Sequence, residues 1–223
     1  MRVHVHPIPE IVESDVCVLV DVLRATCTIT AALAAGAVGV RPVSTIEEAL
    51  KHRGKSLLAG ERNSRKIEGF DLGNSPLEMR PEIVGGREIV LTTSNGTKVL
   101  EKLNCPIVVA ASFPNLPAVL SFLKRYEAVH VVCVGDGGRI SLEDFLLAGF
   151  IARMDEDPRD EARIAAAYAS LVGKRVKDEV MRSSHARELS SLGCPKDVDF
   201  CTSIGAVNVV PILEDGVFRA VGV

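Results

Sequence analysis

Along this chain apolar runs of strand length alternate with stretches of helical spacing. Short β-branched runs recur at residues 2–5, 16–21, 38–43, 57–59, 89–92, 107–111 and 129–134. Helical spacing appears at 25–35, 46–52, 97–103, 116–126 and 142–154. Strands alternating with helices predict a layered α/β/α protein with a largely parallel sheet. The runs at 17–20 and 107–110 are continuously apolar, as strands covered on both faces should be.

Start signals support the helices. Ser44-Thr-Ile-Glu47 and Ser75-Pro-Leu-Glu78 have capping-box form, the second with proline at the first helical position. Ser141-Leu-Glu-Asp144 is a variant with Asp at the fourth place. Residues 155–192 read as largely helical. They open on Asp155, Glu156, Asp157, Asp160 and Glu161, an acidic start that complements the helix dipole and reads as a solvated face. Two apolar runs, 207–213 and 217–221, flank Glu214-Asp-Gly216 and predict a hairpin. No internal repeat or low-complexity tract interrupts the pattern, so a single domain over 1–223 is expected. A two-lobed arrangement would divide near residues 80–86.

Composition narrows the class. The 223 residues are 47% hydrophobic and 25% charged, which fits an ordinary globular protein. Aromatics are only 4% and Trp is absent, so the core must be aliphatic. The net charge is −3, from 26 basic and 29 acidic residues, with no basic block. That leaves no electrostatic footprint for nucleic acid, and an anionic ligand must be held by a few placed groups. No run of about 18 apolar residues suggests a membrane span, and MRVHVHPIPE lacks the apolar region of a signal peptide. A cytoplasmic protein is expected. The cysteines at 17, 27, 105, 133, 194 and 201 form no Cys-x-x-Cys and read as reduced thiols. Cys194 and Cys201 are the closest pair along the chain.

Ligands of open α/β sheets bind outside the carboxyl ends of the strands. Here every such end carries polar residues: Asp21 to Thr26, Gly60-Glu-Arg62, Thr92-Thr-Ser-Asn-Gly-Thr97, Ser112, Gly135 to Arg139, and then Ser141-Leu-Glu-Asp144. Asp21, Glu61, Asp71, Glu143 and Asp144 are oxygen ligands of the kind that suit Mg²⁺. Arg24 and Arg62 suit a bidentate phosphate or carboxylate. Thr93, Asn95, Gly96 and Thr97 offer donors at a helix start, and Gly73, Asn74 and Ser75 do so ahead of Pro76. Acids for a metal beside donors for an anion are what phosphoryl transfer needs.

Each residue also has a purely structural reading. Ser75 can be an N-cap partnered by Glu78, Asp144 can close the cap at Ser141, Thr97 can cap its own helix, and Arg62 can belong to a basic surface loop. Asp21 resists such a reading, because an unpaired acid at the end of a buried strand is costly unless it binds something. His185 is a candidate acid or base. Cys133-Val-Gly-Asp-Gly-Gly-Arg139 has the spacing of a cysteine-dependent phosphatase loop, though Asp136 would put negative charge in its phosphate cradle. Asp197-Val-Asp199 resembles an aspartate-nucleophile motif without the preceding strand. The usual glycine-rich nucleotide signatures are missing.

VDVLRAT (20–26), AGER (59–62), GFDLGNSP (69–76), LTTSNGT (91–97), SLED (141–144) and Ala148-Gly149 occur in this order. Together they resemble the 2-phosphosulfolactate phosphatase family across residues 16–150, with weaker support at 185–189 and 197–211. The resemblance implies a family-specific α/β fold and a Mg²⁺-dependent phosphatase acting on phosphate monoesters of 2-hydroxy carboxylic acids. The namesake substrate is 2-phospho-3-sulfolactate, on a route to coenzyme M. The family's motif positions fall on Asp21, Arg24, Glu61, Arg62, Asp71, Asn74, Ser75, Thr93, Asn95, Gly96, Thr97, Glu143 and Asp144. The expected division is catalysis by Asp21, Arg24, Glu61 and Arg62. Substrate binding falls to Asp71, Gly73, Asn74, Ser75, Thr93, Asn95, Gly96 and Thr97, and metal binding to Asp21, Glu61, Glu143 and Asp144. Cys27 and Ser94 stand where the family usually has Thr, and Pro114 where Leu is common. The alternatives are the cysteine-dependent loop and a non-catalytic binder of a small anionic metabolite. A homodimer is the base-rate expectation.

Overall fold

The structure, a computed structural model, describes residues 1–221. In chain order its elements are β1 (Arg2–His6), β2 (Val12–Glu13), β3 (Val16–Val20), α1 (Ala25–Ala34), β4 (Gly39–Pro42), α2 (Ile46–Leu50), β5 (Leu57–Arg62) and β6 (Arg65–Lys66). There follow α3 (Pro81–Val84), β7 (Glu88–Thr92), α4 (Gly96–Val99), β8 (Leu103–Asn104), β9 (Ile107–Ala111), α5 (Leu116–Leu123) and β10 (Ala128–Cys133). The chain ends with α6 (Leu142–Ala152), α7 (Asp160–Val172), α8 (Val176–Val180), α9 (Ser184–Ser191), α10 (Pro195–Cys201), β11 (Val210–Glu214) and β12 (Val217–Val221). Residues 76–78 make only a single 3-10 turn where a capping box pointed to a helix.

Among the described residues ten strands form one sheet in the order β1-β10-β3-β9-β11-β12-β4-β7-β5-β6. β1, β10, β3 and β9 are mutually parallel, and so are β4, β7 and β5. The hairpin β11–β12 lies between these two parallel blocks and runs antiparallel to both. It sets Ile212 opposite Val109 and Phe218 opposite Val40. The turn at Asp215 (φ 50°) and Gly216 (φ 74°) has positive φ at both central residues. That twist matches the flanking strands, and Asp-Gly is the pair that adopts it readily. β2 and β8 form a separate parallel ribbon.

The sheet is covered on both faces. Val16, Val18 and Val20 of β3, with Val109, Val129 and Val131, pack under Leu116 and Val119 of α5, Leu146 and Ile151 of α6, and Ala165 and Ala169 of α7. The alternate residues Cys17 and Leu19, with Val108, Ala110 and Val132, pack with Ile29 and Leu33 of α1. The same cluster crosses the hairpin through Phe218 to Leu57, Ala59, Ile89 and Leu91. Leu58 and Val90 face the opposite way, against Phe70 and Ala49 of α2. Each fully buried aliphatic side chain contributes about 1.5–3 kcal/mol, which is how a core built mainly from aliphatic residues around a few phenylalanines holds. No helix among the described residues is long and apolar enough to cross a membrane.

One expectation fails here. Cys17 and Cys105 are joined in a disulfide, while Cys194 and Cys201 are both free. Cys17 and Cys105 are separated by 88 positions in sequence. The β3–β9 pairing sets Val16 opposite Ile107 and so carries Cys105 beside Cys17, with Cα atoms 6.0 Å apart.

Candidate active site

A cleft of about 270 Å³ opens where the carboxyl ends of β3, β5, β7 and β10 meet α9. Asp21 is the first residue after β3. Its Oδ1 accepts the Ala25 N–H at 3.2 Å, at the first turn of α1, so a helix N-terminus faces the carboxylate. Thr26 locks the turn: its hydroxyl donates to the Asp21 carbonyl at 2.8 Å and accepts the Asp21 N–H at 3.2 Å. The other carboxylate oxygen, Oδ2, looks at Gly96, where a Cβ would lie only 2.5 Å away. Glycine is therefore the residue that lets the β7 loop close over Asp21. Gly96→Ala is expected to lower kcat/KM by about tenfold or more while far-UV circular dichroism stays unchanged, because the clash falls on the Asp21 carboxylate in the cleft and not on the core.

Burial pushes Asp21 up to about 6, and the negative charges of Glu61 and Glu143 add to that push, while His185 and the Ala25 N–H oppose it. Glu143, almost fully buried on α6, has its Oε1 3.6 Å from Nδ1 of His185 on α9. Burial alone would lower His185, but Glu143, Asp21 and Glu188 outweigh it and hold the imidazole above its ordinary value.

The other two acids are tied to backbone. Asp144 accepts the Val22 N–H at 2.8 Å and the Gly135 N–H at 3.0 Å, clipping the ends of β3 and β10 together, while its own N–H donates to Ser141. Burial, Asp21 and Glu143 raise its carboxyl well above the usual range. Glu61 accepts the Ser94 N–H at 2.7 Å through Oε1, and the Ser64 N–H at 2.8 Å and the Ser94 hydroxyl at 3.1 Å through Oε2. It fastens the β7 loop to the turn after β5.

Arg24 is buried and doubly bound. Nη1 donates to Asp197 Oδ2 at 2.6 Å and Nη2 to the Ser64 carbonyl at 3.0 Å. Asp197, 3% exposed on α10, accepts the Ser75 hydroxyl through its second oxygen at 2.6 Å. Ser75 is also an N-cap, accepting the Leu77 N–H. The sequence motif around Asp197 suggested a nucleophile, whereas the carboxylate is the anchor of the site arginine. Its spacing carried the clue: residues 197, 198 and 201 form the buried face of α10, and an acid on such a face needs a partner.

Of the residues expected from sequence, Asp21, Arg24, Glu61, Asn74, Thr93, Asn95, Glu143 and Asp144 line the cleft, and Gly96 abuts Asp21. Others lie outside its wall. Arg62 donates to the Glu61 carbonyl at 2.7 Å and to the Thr92 hydroxyl at 3.0 Å, bracing β5 against β7. Asp71 is exposed and accepts the Leu58 N–H at 2.8 Å. The Gly73 N–H goes to Glu78, which reaches Gly73 in place of the Ser75 amide of a true capping box. Thr97 turns its hydroxyl back to the Thr93 carbonyl. Within GFDLGNSP it is Asn74 that enters the cleft. Its carbonyl is held by the Thr28 hydroxyl at 3.0 Å, and its Oδ1 is buried with no hydrogen-bond partner among the described residues. Asp71→Ala should accordingly leave kcat/KM within a few-fold of the native value, as a surface substitution does, whereas Asn74→Ala should not. Ser64, Asp136, His185 and Glu188 are among the other residues of the wall; of these His185 is legible in the sequence as a candidate acid or base.

The cysteine-dependent alternative fails on geometry. The Cys133 thiol is fully buried in the core, where burial and then Asp144 push it well above its ordinary range, and Arg139 sits on an exposed turn away from the cleft. A protonated thiol inside the core is not a nucleophile.

No group of three or more His, Cys, Asp or Glu side chains is arranged to hold a metal among the described residues. Mg²⁺ asks for less: one or two carboxylates, with waters and substrate oxygens completing the shell. Glu61 and Asp144 spend both oxygens on amides, while among the described residues Asp21 Oδ2 has no hydrogen bond and Glu143 meets only His185. The donor set fits such a cation at Asp21 and Glu143.

A layered α/β sheet with paired acids and an anchored arginine at its strand ends is the architecture of an α/β enzyme. The family model described as 2-phosphosulpholactate phosphatase matches residues 4–216. A protein of Thermotoga petrophila named probable 2-phosphosulfolactate phosphatase is 51% identical over 210 residues, covering 93% of this chain and 92% of the relative. Relatives with the same name in Thermotoga maritima (50% over 210 residues, 93% and 92% covered) and Nostoc punctiforme (35% over 244, 99% and 99% covered) extend the likeness. The chain belongs to the 2-phosphosulfolactate phosphatase family, and its class is that of the phosphoric monoester hydrolases.

Proposed function

We propose that this enzyme hydrolyses the phosphate monoester of a 2-hydroxy carboxylic acid with the help of Mg²⁺, and that 2-phospho-3-sulfolactate, giving 3-sulfolactate and phosphate, is its substrate. One observation carries the reading. Asp21, Glu61, Asp136, Glu143, Asp144 and Glu188 line the cleft, against one arginine and one histidine. An anionic ester cannot enter so acidic a wall without a cation to offset the repulsion.

Asp21 and Glu143 are the residues to hold Mg²⁺, which when bound supplies charge neutralisation on the phosphate. Arg24 orients the anion. Asp197 and Ser64 use two of the guanidinium's donors and fix its plane, leaving the others for phosphate or carboxylate. Asn74, Thr93 and Asn95 offer amide and hydroxyl groups around the same space. His185, on the cleft wall with its Nδ1 3.6 Å from Glu143, is placed to give a proton to the leaving alkoxide as water replaces it on phosphorus. The products balance as hydroxy acid and inorganic phosphate. The sulfonate and the route to coenzyme M follow the family name. The same reading takes the enzyme as cytoplasmic and its partner as a small metabolite.

The test is phosphate release from 2-phosphosulfolactate, 2-phospholactate, 2-phosphoglycolate and a plain alkyl phosphate, each with Mg²⁺ and with EDTA. Release should need Mg²⁺ and favour the 2-hydroxy acid esters. Release that survives EDTA would sink the metal reading, and binding without turnover of any ester would leave a non-catalytic binder.

A further inference from the structure

Helix α7 buries one face and leaves the other bare. Ala162, Ala165, Ala169 and Val172 pack inward. On the outer face Ile164 and Leu171, seven residues apart, are 61% and 73% exposed, and exposed Ala167 lies between them. Single exposed aliphatic residues are ordinary. Large residues at i and i+7 with a small one at i+3 form a stripe of the spacing by which a second helix packs.

Charge says which helix fits. At the start of α7, Arg163 is tied to Asp157 and to the Pro158 carbonyl, and Arg159 turns into a separate recess beside His4. Glu161 lines that same recess, which leaves Asp160 as an exposed acid without a salt bridge among the described residues. Just past the other end, Lys174 and Arg175 are exposed bases. A copy of the same helix laid antiparallel sets Asp160 against Lys174 or Arg175 of the second molecule and Ile164 against its Leu171, with the small Ala167 near the crossing. A parallel copy would set acid on acid. Antiparallel helix dipoles add to the preference.

We infer that α7 is the surface on which two copies of this chain pair, antiparallel about a two-fold axis near Ala167. The contact is self-complementary, as a two-fold interface requires. It stands apart from the reading of the cleft, since none of its residues lines that wall.

Sedimentation equilibrium on the full chain, up to about 100 µM where a micromolar contact is populated, should give twice the 23.9 kDa chain mass. Ile164→Glu and Leu171→Glu should each weaken the dimer about tenfold or more, because each buries an unpaired charge. Asp160→Lys or Lys174→Glu alone should weaken it, and the two together should restore it to within a few-fold, since the swap rebuilds the pair in reversed sense. Phosphate release per chain serves as the folding control for every variant. A monomer at all concentrations overturns the inference. A dimer indifferent to Leu171→Glu places the contact elsewhere, and a double charge swap that merely sums the two single losses removes the antiparallel register.

Discussion

Asp21→Asn will abolish phosphate release and, in the absence of divalent ions, raise the melting temperature at pH 7. Loss of activity by about 10³-fold or more is expected, the scale on which an enzyme depends on a group that acts on the transition state. The local fold should survive, because the asparagine carbonyl still accepts the Ala25 N–H. The gain in stability follows from the sign of the shift. The Asp21 carboxyl is raised from 3.8 to about 6, mainly by burial. The native state thus binds a proton more tightly than the unfolded chain does. The stability this confers is fully present below pH 4 and is lost as pH rises through 6. At pH 7 the native protein holds a charge its cleft disfavours, at a cost of about 3 kcal/mol for a shift of this size, and asparagine removes that cost. Melting curves in EDTA at pH 4 and pH 7 decide the matter: the variant should exceed the native protein at pH 7 and match it at pH 4. A variant less stable at both would mean that the carboxylate is at ease where it sits.

Removing Asp197 should be the most damaging change to stability around the site. Asp197→Ala leaves the Arg24 charge buried without its counter-charge and the Ser75 hydroxyl without its acceptor. Breaking one side of a buried ion pair costs about 3–5 kcal/mol. Activity should fall by about 100-fold as well, since a guanidinium freed from its anchor no longer presents a fixed plane to the anion. Arg24→Met with Asp197→Leu separates the two losses. An apolar pair should recover most of the urea midpoint, as apolar replacements of buried pairs do, while phosphate release stays absent. Should Asp197→Ala cost less than about 1 kcal/mol, the surface value for such pairs, the pair does not carry the role given to it here.

Most of the fold was legible in the chain, because strand and helix each impose their own period. The runs at 16–21 and 107–111 and the Asp215-Gly216 turn needed no tertiary information. Partner choice was a different matter. A hairpin pattern announces that β11 pairs with β12 but not that both insert between β9 and β4. The Cys17–Cys105 contact likewise exists only once β3 lies beside β9. In the site, Asp21 was readable as an acid closing a buried strand. The apolar run 57–59 marks only the first half of β5, which extends to Arg62. Along an extended strand Glu61 and Arg62 point to opposite faces, so only one of them reaches the cleft. The loop GFDLGNSP reaches the cleft through Asn74, and its polar density alone does not say which residue turns inward. Leu72 bridges to Ala59 and fastens the loop along β5, leaving Asp71 outside and carrying Asn74 in.

The position of the hairpin also bears on how the molecule comes into being. Residues 210–221 follow every other strand of the sheet in sequence, yet they form its middle. Until they insert, the two parallel half-sheets have unpaired inner edges, β9 and β4, the kind of edge that other chains capture. The cleft draws Asp21 from one half and Glu61 and Ser94 from the other. Until β11 and β12 insert, the enzyme has neither a closed sheet nor an assembled site, so closure of the sheet and assembly of the cleft are one event.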